Sequence, residues 1–180
     1  LLPALGKAKA KAQGIACLSN HRQLLLAWRM YAEDNRDRIL YAGYDPSRVP
    51  GSLPAVWMDG NLDYKPGNRS NWDLEQDIKR SPMWPYAGNS PGIFKCPGDR
   101  SVVKVGGKIL PRVRSMSMNV WVGGWSGLAP TDLDASFRVY RSLNDMVDPG
   151  PTQTFVFLDE REDSIWRGGF YLETAGFPDQ

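Results

Sequence analysis

Two cysteines, Cys17 and Cys96, are the only thiols in this 180-residue sequence. An isolated pair of this kind either closes a disulfide or sits as two separate buried thiols, and the residues alone leave both open. A soft-metal site is not expected, because two cysteines far apart in the chain supply too few ligands. The densest acidic cluster is Asp159-Glu160-Arg161-Glu162-Asp163. Calcium takes about six to eight oxygen ligands, often from such a loop at a strand end, so Asp159, Glu160 and Asp163 are candidate calcium ligands. The competing reading is a solvated strand end in which Arg161 balances the charge; the Asp-x-Asp-x-Asp-Gly pattern is lacking. Asp59-Gly60-Asn61-Leu62-Asp63 is similar, and a turn accounts for it.

The tryptophans are the third resource. Trp57, Trp72, Trp84, Trp121, Trp125 and Trp166 can build a sugar-stacking or partner-binding face, or serve as satellite core under long loops. Trp84 (in Trp84-Pro85-Tyr86) and Trp125 (after Gly123-Gly124) are the candidates for such a surface, since flexible surroundings make burial harder. No catalytic residue is assigned. The single histidine, His21, lies on an apolar helical stripe and reads as a packed core residue. Gly-x-Ser-x-Gly, His-Glu-x-x-His and phosphate-loop patterns are absent from the sequence. The expectation is a protein that is not an enzyme and has no certain cofactor.

These residues need elements to position them, and residues 3–35 supply the clearest one. Pro3 suits a first helical turn, and Ala, Leu, Lys, Gln and Arg dominate the residues after it. Cys17, Leu18, His21, Leu24, Leu25, Trp28, Tyr31 and Ala32 recur at helical spacing and form one apolar stripe. Before Gly14 the segment is Ala/Lys-rich with little to bury. The helix is therefore predicted to protrude at its start, pack from about Ile15 onward and stop near Asp34-Asn35.

Its partner is expected to be an antiparallel sheet drawn from Arg38–Ala42, Ala55–Met58, Arg112–Val122, Thr154–Leu158 and Gly169–Glu173. Alternation over Arg112–Val120 predicts a half-buried strand, and Phe155-Val156-Phe157-Leu158 predicts a central one. Trp72–Tyr86 is expected to hold short helices. Residues 43–54, 59–71 and 123–136 read as loops, in keeping with Gly 18 and Pro 14. The fold class is α+β. A stem helix at 1–35 and a β-rich head at 36–180 form one domain.

The net charge of +2 conceals an asymmetry, because residues 1–32 hold five basic residues and no acidic one. Only Lys7, Lys9 and Lys11 are dense, and no aromatic interleaves them. They read as a solvated helix face, and nucleic acid is not an expected partner. No run of 18 apolar residues is present, so nothing in these 180 residues spans a bilayer. Leu1-Leu2-Pro3-Ala4-Leu5 reads like the tail of a longer apolar segment.

The order of motifs carries a resemblance. Leu1–Leu5 leads into Cys17-Leu18-Ser19-Asn20-His21-Arg22-Gln23-Leu24, then Tyr31-Ala32-Glu33-Asp34-Asn35 and Phe94-Lys95-Cys96-Pro97-Gly98-Asp99. Arg114-Ser115-Met116-Ser117-Met118-Asn119 and Phe155-Val156-Phe157-Leu158-Asp159-Glu160 complete the series. It resembles bacterial proteins with a prepilin-type cleavage/methylation N-terminus, closest to the pseudopilin-like branch of planctomycetes and verrucomicrobia. The resemblance implies a type II secretion pseudopilus or type IV pilus-like subunit, tethered to the inner membrane by an N-terminal helix not in this sequence. Its head would face the periplasm or an extracellular filament. Its partners would be other pilin or pseudopilin subunits and secretion-system components. The same resemblance favours a Cys17–Cys96 disulfide, as expected of an exported protein, and raises the case for calcium, which major pseudopilins bind in a C-terminal loop. That branch often ends with a His followed about ten residues later by Asp-Gly; the single histidine here is His21, so either that tail or that motif is missing from these residues. The alternative reading is a membrane-tethered glycan-binding module using the loop tryptophans; a hydrolase with paired carboxylates is a third.

Overall fold

The computed structural model describes residues 2–48, 55–128, 138–163 and 165–171, with side chains from Ala4 onward. Helix α1 runs from Leu2 to Asp34, matching the predicted span. It ends without a glycine. The Asn35 side chain donates to the Tyr31 carbonyl at 2.7 Å, and Arg36 and Asp37 take left-handed φ values of 57° and 67°. The Asp37 N–H then closes the end on the Ala32 carbonyl at 2.9 Å.

Packing begins at Gln13, close to the predicted point, and residues 4–12 are exposed on every side. The buried face is narrower than the stripe suggested. Leu24, Ala27, Trp28 and Ala32 are buried, with Cys17 and Tyr31 packed at its edge, whereas Leu18 and Leu25 lie outside it. Two polar side chains of α1 dock the segment after Pro91. Asn20 donates to the carbonyls of Gly92 and Lys95 at 3.0 and 2.8 Å, and Gln13 donates to that of Pro97 at 3.1 Å. Backbone acceptors are thereby satisfied at a helix face that apolar residues alone would leave unpaired.

The α+β expectation holds, with the strands divided among small sheets. Strand β1 (Gly43–Tyr44) pairs in parallel with β5 (Trp125–Ser126). Strands β2 (Val102–Val105) and β3 (Lys108–Pro111) form an antiparallel hairpin. The third sheet has the order β6-β4-β7, with β4 at Met116–Asn119, β6 at Phe157–Asp159 and β7 at Gly169–Phe170. Strand β4 is antiparallel to β6 and parallel to β7.

Three expectations are corrected. The central strand is β4; β6, expected there, lies at the edge. The alternation over Arg112–Val120 does not mark a half-buried strand, because β4 is buried along its whole length and Ser117 and Asn119 are covered with the methionines. Their polarity is matched inside: Ser117 donates to Glu160, and Asn119 donates to the Phe155 carbonyl. Pairing in Arg38–Ala42 and Ala55–Met58 reduces to single bridges, Arg38 with Ser142 and Tyr41 with Val56. The unpredicted β2–β3 hairpin turns on Gly106-Gly107, both at positive φ, a two-residue signal legible in the sequence.

One core cluster joins Leu24, Trp28 and Ala32 of α1 to Leu40, Trp57, Phe94, Met116 and Met118. Arg112 and Arg114 are buried beside it. Arg114 donates to the carbonyls of Met116 and Gly60 at 3.0 and 2.9 Å, and Asp77 and Glu160 supply the nearby negative charge. Burial lowers its pKa to about 10, so it stays protonated at neutral pH.

Candidate functional site

Two places gather functional chemistry. The first is a cleft on the head centred on Trp125. A Cβ on Gly43 would lie 2.4 Å from the Trp125 ring and one on Gly169 would lie 2.7 Å from it, so only glycines at these positions let β1 and β7 close on the indole. Trp125 is thereby 7% exposed. Trp166 stacks on it with centroids 5.0 Å apart and planes at 14°, yet remains 56% exposed. The next two residues, Arg167 and Gly168, both take positive φ, and the Arg167 N–H is held by Asn61 Oδ1 at 2.9 Å. This turn swings the Arg167 guanidinium over the rings of Tyr44 (5.6 Å) and Trp166 (5.9 Å). Tyr44 donates its hydroxyl to Asp59 at 3.0 Å. Glu160 and Tyr171 complete a cavity of about 620 Å³.

The Glu160 carboxylate accepts the Ser117 hydroxyl and feels the Arg114 charge, but burial outweighs both and raises its pKa. Buried Asp77 is raised for the same first reason. A carboxyl raised in the folded state binds more protons than in the unfolded state above its ordinary value near 4.5, so stability falls as pH rises through that window. Glu160→Gln is accordingly expected to raise the melting temperature by a few degrees at neutral pH. It should change little in acid, where Glu160 is protonated anyway. Equal shifts at both pH values in a thermal-melt series would refute the assignment.

The second place is the corner where α1 meets the segment after Pro91 and the end of β6. Cys17 and Cys96 are free thiols, and their sulfurs and a carboxylate oxygen of Asp159 all lie within 4.8 Å of one another. Ser115 holds the corner together: its hydroxyl accepts the Cys96 N–H at 2.8 Å and donates to Asp159 at 2.5 Å. Burial first, then Cys96 and Asp159, push the Cys17 thiol up to about 12. His21 Nδ1 lies 3.0 Å from the Cys17 carbonyl and 3.8 Å from its sulfur, which gives the ring a structural partner within its own helix.

The structure redistributes the predicted site residues. Cys17 and Cys96 come together as paired thiols. Asp159, Glu160 and Asp163 do not converge: Asp159 faces the thiols, Glu160 faces Ser117 and the cleft, and exposed Asp163 pairs with Arg161. In this arrangement the three carboxylates do not gather as one oxygen set, because Asp159 at the end of β6 and Glu160 after it leave the chain on opposite faces. Neither tryptophan expected on a surface is an exposed ring: Trp125 is buried in the core cluster, and half-buried Trp84 stacks on Phe94 at 6.4 Å and packs against that cluster. The sequence reading does not include Tyr44 or Arg167, and it names Asp159 as a calcium ligand without placing it beside the thiols. Gly43-Tyr44 and Arg167-Gly168-Gly169 were the available signals, glycines set beside an aromatic or a cation.

No family model matches the chain, and no curated protein and no solved structure matches it. The geometry itself defines an architectural class: a long N-terminal helix packed on small sheets, consistent with a pilin-like fold.

Proposed function

We propose that this chain is the head and lower stem of a subunit of a type IV pilus-like filament or type II secretion pseudopilus, a structural rather than a catalytic protein. The observation that carries the reading is the division of α1, 33 residues long, into a free half and a docked half. Residues 2–12 extend roughly 16 Å beyond the head at the helical rise. On the docked half, Leu26 and Met30 remain exposed outside the buried face, and Leu18 and Leu25 are exposed at its rim. An apolar groove of about 560 Å³ between α1 and the segment leading into β6, lined by Leu18, Leu25, Trp28, Met146 and Phe155, adds to that surface. Apolar helix surface left open in this way suits packing against neighbouring stems. In this reading assembly proceeds through the stems while the head presents its loops, with the head outside the inner membrane and other pilin-like subunits and secretion components as partners.

The test is photo-crosslinking in cells of the full-length gene product, the probe placed at Leu18 or Leu26. A ladder of covalent oligomers that needs prepilin-peptidase processing is expected. Monomer alone at both positions, with normal expression, would remove the filament reading.

A further inference from the structure

The head carries a cleft on which the filament reading does not draw, and its chemistry points to a ligand. A pyranose ring presents an apolar C–H face and a rim of hydroxyls; sites suited to it pair a flat aromatic platform with charged or polar groups at the platform's edge. Trp166 provides the platform. One face is backed by Trp125 at 5.0 Å, and the side chain is still 56% exposed. Arg167 and Glu160 stand at the edges as donor and acceptor, and Tyr44 and Tyr171 extend the aromatic wall.

These groups are held before any ligand arrives. Trp125 is clamped by Gly43 and Gly169, Arg167 is fixed through Asn61, and Glu160 is oriented by Ser117. Little ordering is then needed on binding. The volume of about 620 Å³ suits a small oligosaccharide end.

Other ligand classes fit less well. A quaternary ammonium would be repelled by the Arg167 guanidinium, which stands 5.6 and 5.9 Å from the Tyr44 and Trp166 ring centroids. A phosphate would meet the Glu160 carboxylate. A purely apolar molecule would strip water from both charges without replacing their hydrogen bonds.

We propose that this cleft is a binding site for neutral pyranose saccharides, with Trp166 stacking on the sugar and Glu160 and Arg167 bonding its hydroxyls. The proposal does not rest on the filament reading; it stands if the stem proves to serve another purpose. The test is an array of neutral hexopyranose oligosaccharides probed with this 180-residue chain, then calorimetry on the strongest binder. Trp166→Ala is expected to weaken binding by about tenfold or more, while Trp166→Phe keeps most of the affinity. Circular dichroism should be unchanged in both, and the melting temperature should fall by no more than a few degrees in Trp166→Ala, which gives up the stacking on Trp125. Glu160→Gln should weaken binding by several-fold. Absence of binding to every neutral saccharide at millimolar concentration, affinity unaltered by Trp166→Ala, or a preference for quaternary ammonium or phosphate probes would each overturn it.

Discussion

Leu24→Ala is expected to destabilise the protein by about 2–5 kcal/mol, as large-to-small substitutions do at fully buried sites. Leu26→Ala, two residues away on the same helix, should change stability by less than about 0.5 kcal/mol. The two positions share residue type, helix and flanking sequence, and differ in the face they occupy: Leu24 is 0% exposed and Leu26 is 58% exposed. In melting temperature the contrast is a fall of roughly 5–20 °C against almost none, for a chain of this size. The measurement is chemical or thermal unfolding of the two variants beside the parent. Similar losses in both would mean that α1 is surrounded by protein on all sides, and the free outer face on which the filament reading depends would be gone. If Leu26→Ala instead leaves the soluble protein unchanged but thins the crosslinked ladder in cells, the same side chain is marked as an assembly contact.

The second large effect concerns the thiol corner. Treating the protein with oxidised glutathione is expected to join Cys17 to Cys96. One thiolate attacks the glutathione disulfide and releases a glutathione thiol. The second thiolate attacks the mixed disulfide and releases another, so the protein loses two electrons and two protons and glutathione gains them. The bridge would tie the segment after Pro91 to α1 where Asn20 and Gln13 already hold it, so little rearrangement is required. Closing so long a loop contributes about 2–4 kcal/mol, largely by restricting the unfolded chain. That corresponds to a rise of roughly 5–15 °C in melting temperature.

The rate should be distinctive. With Cys17 held at about 12, thiolate is scarce at neutral pH and bridging is slow. It should accelerate as pH rises, and also in Asp159→Asn, which removes one of the negative charges that disfavour the thiolate. Trapping free thiols for mass spectrometry tracks both. Stable mixed glutathione adducts without the intramolecular bridge, or a bridge that leaves the melting temperature unchanged, would count against a clasp.

The legibility of the fold can be judged at single residues. The helix is legible, because Ala, Leu, Lys and Gln set a local preference and the apolar spacing of Leu24, Trp28 and Ala32 points to one side. The same spacing assigns Leu18 and Leu25 to the buried stripe, and they lie outside it. Periodicity gives an arc of the helix, and only the width of the covering surface decides which edge of that arc is buried. Asp159 and Glu160 are adjacent candidates for one calcium ion and serve two different sites, one at the thiols and one at the aromatic cleft. Trp84 and Trp125 look alike in sequence, each beside turn-forming residues, and differ by what the fold lays over them.

The composition and periodicity of the chain are thus enough to dictate a long one-sided helix, a loop-rich β partner and the absence of familiar catalytic motifs, since these depend on neighbours a few residues apart. Which residues meet is decided only by the tertiary structure. Cys17, Cys96 and Asp159 are far apart in the sequence, as are Gly43, Trp125 and Trp166, and each set is assembled by non-local pairing and close packing that no local pattern encodes.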